Sequence, residues 1–239
     1  MPPPHELMTE ESMDAKVLYD GVVLTTIDVI PDPNNSKRVT FNDNTVGALE
    51  DKDAVFLCNI CEISREGKGY AVEVEFEADL LTTEEAIAKL KLETSDKQKK
   101  ALFVVHGFNT NASFHLADCL CAKDRFTKTH LIPVIWPSEG KGGLSYYDDR
   151  DFSKSAGQAL QSMKEPLKDL RNNGINSSVV CHSMGNCVFR NFSDPDINFD
   201  NIFMVAADVP CTLFSEKYIK GKPYSFLGFH LFGDDEDTR

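Results

Sequence analysis

The residue best suited to chemistry in this chain is Ser183. It lies in Val179-Val180-Cys181-His182-Ser183-Met184-Gly185-Asn186, where a short apolar run passes through small residues into a helical pattern. A serine on such a strand-to-helix elbow has its Oγ held outward and the next backbone N–H aimed at the same point, the arrangement of an acyl-transfer nucleophile. The usual elbow reads G-x-S-x-G; here Cys181 replaces the first glycine and Gly185 keeps the more crowded position. A second feature complements the first. The apolar run Leu102–Val105 ends in His106-Gly107-Phe108-Asn109, about 75 residues before Ser183. An acyl-transfer site also needs N–H donors for the oxyanion that forms, and a loop brought beside the serine could supply one.

Elements that would carry these residues are visible in the hydrophobic pattern. Ala101–Val105, Leu131–Ile135, Ser178–Cys181 and Ile202–Ala207 are short, apolar and β-branched, which predicts strands buried on both faces. Between them Ala112–Lys123, Phe152–Asn172 and Asn186–Phe192 read as helical, the second stopped by Asn172-Asn173-Gly174. Alternating strand and helix predicts an α/β fold with a parallel sheet. Upstream, strands are expected over Lys16–Ile30, Arg38–Asn42, Ala54–Ile63 and Gly69–Ala78. In the last of these Val72, Val74 and Phe76 alternate with Glu73, Glu75 and Glu77, as in an antiparallel sheet with one wet face. Thr82-Thr83-Glu84-Glu85 is a capping signal for a short helix, and Lys91–Lys100 is the candidate boundary. The organisation expected is a tail over 1–14, a β-rich extension with a short helix over 15–98, and a core over 99–239. The extension is either the antiparallel edge of the core's sheet or a separate partner-binding module.

Five motifs occur in order: His106-Gly107-Phe108-Asn109, Trp136-Pro137-Ser138, Tyr147-Asp148-Asp149-Arg150, His182-Ser183-Met184-Gly185-Asn186 and Ala206-Ala207-Asp208. This set resembles the α/β-hydrolase superfamily. It is most similar to a serine-hydrolase-like, esterase- or lipase-like group with H-G-F-N, W-P-S, Y-x-x-D, H-S-M-G-N and A-x-D motifs, over about residues 99–237. The resemblance implies a mostly parallel sheet with helices on both faces and antiparallel amino-terminal strands. It also implies Ser183 as nucleophile, Phe108 and Met184 as oxyanion donors, and hydrolysis of a small-molecule ester or related acyl substrate. His106, Gly107, Trp136, Tyr147, Asp149 and His182 are expected to line the substrate pocket. Trp136 reads alternatively as a packing anchor and Tyr147–Asp149 as a loop clasp. No cofactor and no metal is implied.

A serine nucleophile also needs an acid and a histidine base, and the resemblance implies that they follow in the α/β-hydrolase order Ser, Asp/Glu, His. Only 31 residues follow Asp208, whereas the rest of a full sheet takes about 60 at roughly 30 per βα unit. The sheet is therefore expected to be cut short at its carboxyl end. Either Asp208 is the acid and His230 the base, or Ser225–Phe232 is the next strand and the acid is Asp235 in the turn Asp234–Asp237. The apolar run Phe226–Phe232 favours the second reading, which leaves no catalytic histidine and describes a weak or inactive relative acting by binding.

Composition narrows the partners. There are 25 Lys and Arg against 38 Asp and Glu, a formal charge of −13, which argues against nucleic acid and anionic membranes, and mildly against anionic substrates. No apolar run approaches the roughly 20 residues of a membrane span. The amino terminus has no signal-peptide features, so a cytoplasmic location is expected. The seven cysteines are odd in number and scattered, consistent with reduced thiols. Cys58 and Cys61 form a C-x-x-C with no second pair at zinc-site spacing, and the six histidines make no H-x-H or H-E-x-x-H. Oligomeric state leaves no signal.

Overall fold

The structure, a computed structural model, describes residues 17–42, 53–63, 75–92, 99–123, 125–126, 128–138, 145–192 and 199–208. Strands β1 (Val17–Thr25), β2 (Ile30–Asp32), β3 (Asn35–Asn42), β4 (Val55–Ile63) and β5 (Glu75–Leu81) precede helix α1 (Thr83–Leu92). Then follow β6 (Lys99–Val105), α2 (Ala112–Lys123), β7 (His130–Ile135), α3 (Tyr146–Ala159), α4 (Lys164–Asn172), β8 (Ile175–His182), α5 (Gly185–Phe192) and β9 (Asn201–Val205). All described strands join one sheet in the order β2-β3-β5-β4-β1-β7-β6-β8-β9. The pairs from β1 through β9 on the right of this order are parallel, and those from β1 back to β2 are antiparallel. β1 is the hinge between the halves: it pairs antiparallel with β4 and parallel with β7. The extension and the core thus share one sheet.

Both faces of the sheet are covered, which is why the parallel strands read as continuous apolar runs. Ile87 and Leu90 of α1, Ala156 of α3, Leu167 and Leu170 of α4 and Val188 and Phe189 of α5 pack on one face with Phe103, Val105, Val179 and Cys181. Ala112, Leu116 and Cys119 of α2 pack on the other with Val23, Leu57 and Ile135. The capping signal at α1 is formed as written: Thr82 N–H donates to Glu85 Oε2 at 2.9 Å and Glu85 N–H to Thr82 Oγ1 at 3.2 Å. No described helix is long and apolar enough to cross a membrane.

Several boundaries differ from the pattern. The strand expected over Lys16–Ile30 stops at Thr25, where Ile27 N–H turns back onto Thr25 Oγ1 at 3.1 Å. A side-chain acceptor there competes with the ladder and diverts the chain. Ile30–Asp32 then starts a hairpin, with Asn34 N–H on Asp32 Oδ1 at 2.7 Å in its turn, and β3 begins at Asn35 rather than Arg38. β5 runs on to Leu81; residues 64–74, and with them much of the expected Gly69–Ala78 strand, lie outside the described residues. The single helix expected over Phe152–Asn172 starts earlier, at Tyr146, and breaks into α3, a 3-10 turn at Leu160–Met163, and α4. Pro166 explains the break. It lacks an N–H and crowds the carbonyl four residues back, so it is accommodated only in a first helical turn. β9 ends at Val205 rather than Ala207 because Ala206 turns to φ 44°.

The topology places one edge of the sheet at a switch point. The chain leaves β6 for β7 on one side and returns to β8 on the other, with α2 on one face and α3 and α4 on the opposite one. The crevice outside the carboxyl ends of such strands is where open α/β sheets bind ligands.

Candidate active site

In-register pairing delivers the loops to that crevice together. Val105 pairs with Val134 and with Cys181, and His182 with Val205, so the segments starting at His106, Trp136, Ser183 and Ala206 emerge side by side. Among the described residues, the three non-glycine positions with positive φ are all here: Asn109 at 58°, Ser183 at 48° and Ala206 at 44°. Left-handed backbone costs a residue with a Cβ about 1–2 kcal/mol, so it persists only where surroundings enforce it.

The elbow at Ser183 is enforced from both flanks. Ser183 N–H donates to the Val205 carbonyl at 2.9 Å, and the Ser183 carbonyl accepts from Asp208 N–H at 3.2 Å and from Asn186 Nδ2 at 2.8 Å. Gly185 makes the turn possible: a Cβ there would lie 2.5 Å from the His106 carbonyl oxygen and 2.8 Å from that of Val105. Gly107 brings the second loop equally close, since its Cβ would lie 2.9 Å from both Ser183 Cβ and His182 Nδ1. Ser183 itself is half-buried and Met184 fully buried.

His106 organises the loop after β6. It is buried and stacks on Trp136, with centroids 5.0 Å apart and planes 10° from parallel. Its Nε2 accepts the Trp136 backbone N–H at 3.3 Å, which leaves Nδ1 protonated to donate to the Gly107 carbonyl at 3.1 Å. The Gly107 carbonyl and the Phe108 N–H belong to one planar peptide, so this bond sets the direction of the Phe108 N–H. Trp136 Nε1 closes the arrangement on the His106 carbonyl at 2.9 Å. Among the described residues, neither the Phe108 nor the Met184 N–H enters a hydrogen bond with the protein.

The remaining residues named from the sequence are spread around this centre. Trp136 is completely buried, and Asp149, also completely buried, accepts the Ser138 hydroxyl at 2.7 Å, tying the loop after β7 to α3. Tyr147 is 75% exposed and packs edge-on against Tyr146. It is Tyr146 that enters the crevice: its ring meets Phe108 edge-on at 5.4 Å, and its hydroxyl donates to Asp208 Oδ2 at 2.7 Å. The Y-x-x-D spacing itself runs from Tyr146 to Asp149, which is the signal that separates the two tyrosines. His182 is exposed; with His106 and Gly107 it lines a pocket of about 300 Å³ bordered by Val104, Val180 and Phe126. Asp208 stands at the elbow, while His230 and Asp235 lie outside the described residues. Cys58 is buried, and among the described residues no group of three His, Cys, Asp or Glu side chains gathers to hold a metal.

Burial dominates the titration of the histidines near this loop. It pushes the His106 imidazole well below its ordinary value, with repulsion from His115 adding to the effect, and lowers His115 to about 4. Both imidazoles are therefore neutral when folded, whereas the unfolded chain takes up these protons near pH 6.5. Stability is complete above that pH and is lost as pH falls, each group costing about 1.4 kcal/mol per pH unit. For His115 this loss ends at about pH 4. Urea midpoints measured at pH 7, 6 and 5 are expected to fall progressively, and His115→Gln is expected to make the decline shallower.

The family model described as "Alpha/beta hydrolase of unknown function (DUF900)" matches residues 82–238. No curated protein and no solved structure matches the chain. The matched span begins at the capping threonine of α1 and holds both loops of the crevice and every strand of the parallel half except β1. It takes in well over half of the 239 residues, and the chain belongs to this family of α/β-hydrolases.

Proposed function

We propose that the chain is a serine hydrolase acting on a small-molecule ester or related acyl substrate. Ser183 is the nucleophile, and the Phe108 and Met184 N–H groups form the oxyanion hole. The observation that carries this reading is the left-handed Ser183, φ 48°, held on a tight turn between a buried strand and a helix. Strain of this kind is retained where it presents a reacting group. Ser183 Oγ attacks the acyl carbon, the carbonyl electron pair moves onto oxygen, and the two amides hold the resulting negative charge. Each such donor is worth about 10²–10³ in rate. The hydroxyl proton passes to a histidine base; the histidine that follows Ser183 in the chain is His230, which serves on the reading that takes Asp208 as the acid. Collapse of the intermediate expels the alcohol, and water then releases the acyl group from Ser183.

A fluorophosphonate probe at pH 7–8 tests the reading without knowledge of the substrate. The expected result is labelling of the wild-type chain that disappears in Ser183→Ala. Equal labelling of both proteins, or a folded wild type that takes no label, overturns it.

A further inference from the structure

Tyr146 is a polar side chain beside the elbow for which the proposed mechanism has no use. It opens α3, is half-buried, packs on Phe108, and gives its hydroxyl proton to Asp208 Oδ2 at 2.7 Å. Both neighbours are part of the crevice. Phe108 carries a proposed oxyanion amide, and Asp208 N–H donates to the carbonyl of Ser183 at 3.2 Å. A phenol has one proton and two lone pairs. Its proton is committed to a carboxylate in a charge-assisted bond, among the stronger kinds of hydrogen bond. That bond and burial push the Tyr146 hydroxyl up to about 12, so the proton stays in place at neutral pH. Tyr146 consequently has no proton to give an oxyanion and offers the crevice only lone pairs. Among the described residues no hydrogen bond is donated to its oxygen.

Building on the hydrolase reading, we infer that the Tyr146 hydroxyl, oriented by Asp208, accepts a hydrogen bond from an O–H or N–H carried by the substrate close to its scissile carbonyl. Acyl substrates with a hydroxyl or amide at that place are preferred over plain alkyl esters. Asp208 is then a positioning residue, and Tyr146 sets specificity.

The test uses the full chain carrying Ser183→Ala, which binds esters without cleaving them. Methyl butyrate, methyl 2-hydroxybutyrate and methyl 3-hydroxybutyrate are titrated by NMR. At least one hydroxy ester is expected to bind about three- to tenfold more tightly than methyl butyrate, the worth of one neutral hydrogen bond. Adding Tyr146→Phe is expected to bring the three affinities together. Adding Asp208→Ala removes the acceptor that fixes the phenol proton, so the hydroxyl is free to turn, and the preference is expected to shrink. A purely structural tyrosine would shift all three esters alike. Equal binding of the three esters to the Ser183→Ala chain, or a preference that survives Tyr146→Phe, overturns the inference. Because the readout needs no turnover, it judges Tyr146 separately from the probe labelling that judges the hydrolase reading.

Discussion

Ser183→Gly is expected to yield a protein that is inactive and more stable than Ser183→Ala. Alanine is normally the better of the two, because glycine adds about 0.4–1 kcal/mol of unfolded-chain entropy to be overcome. At φ 48° the order reverses, since any residue with a Cβ is strained there and glycine is not. The relief, about 1–2 kcal/mol, exceeds the entropic loss, leaving glycine ahead by about 1 kcal/mol. In a chain of this size that corresponds to roughly 2–4 °C in Tm. Turnover of a short p-nitrophenyl ester should fall in both variants by on the order of 10⁴–10⁶, the usual consequence of deleting a serine nucleophile. Scanning calorimetry beside the ester assay reads both effects. A glycine variant less stable than the alanine variant would show that the elbow stores no strain.

Gly185→Ala and Gly107→Ala should fail in different ways, although each adds one methyl to the contact between the elbow and the loop after β6. At Gly185 the methyl meets backbone oxygens of His106 and Val105 at 2.5 and 2.8 Å. Neither can rotate away, so α5 must separate from β6. Forcing atoms into packed structure costs about 1–3 kcal/mol and occasionally more, and Gly185→Ala belongs at the upper end, with a fall of roughly 5–10 °C in Tm. At Gly107 the methyl meets Ser183 Cβ and His182 Nδ1, both at 2.9 Å, and the His182 carbonyl oxygen at 3.1 Å. The His182 ring is exposed and can move, and the backbone oxygen here is farther away than the two at Gly185, so the stability loss is smaller. Ser183 is displaced instead, and a misplacement approaching 1 Å costs on the order of 10²-fold in rate. Thermal melts and fluorophosphonate labelling rates of the two variants separate the cases: Gly185→Ala melts early, and Gly107→Ala melts nearly normally while labelling slowly. Identical behaviour would mean that the two glycines do not meet different neighbours.

Features confined to a few consecutive residues were legible in the chain. Ala112–Lys123 is helical over the range its pattern predicts, and the Thr82–Glu85 capping signal is formed. The apolar run ending at His182 is a strand that turns at Ser183 into a helix. Pro166 lies inside the apolar pattern spanning Phe152–Asn172 and can sit only in a first turn, which divides that pattern into two helices. Other features depended on partners far away in sequence. His106 reads as a pocket residue, yet its two ring nitrogens serve the Trp136 N–H and the Gly107 carbonyl. Trp136 and Asp149 read as pocket candidates too, and they are fully buried in contacts that hold the loops. Tyr146 and Tyr147 are equivalent as residue types, and helix phase decided which one faced Asp208 and which one faced solvent.

The α/β class, the parallel strands and the strand-to-helix elbow were thus readable along the chain, because side-chain periodicity and turn chemistry act over a few residues; the short strand β2 and the division of α3 from α4 were not. Tertiary structure decided which strands are neighbours. β1, from the amino-terminal extension, lies against β7, and β6 lies between β7 and β8. Those pairings are backbone hydrogen bonds between distant segments, chosen by how whole faces pack rather than by any local propensity. They are also what sets Gly107 against Ser183 and Tyr146 against Asp208, residues that the chain alone keeps more than 60 positions apart.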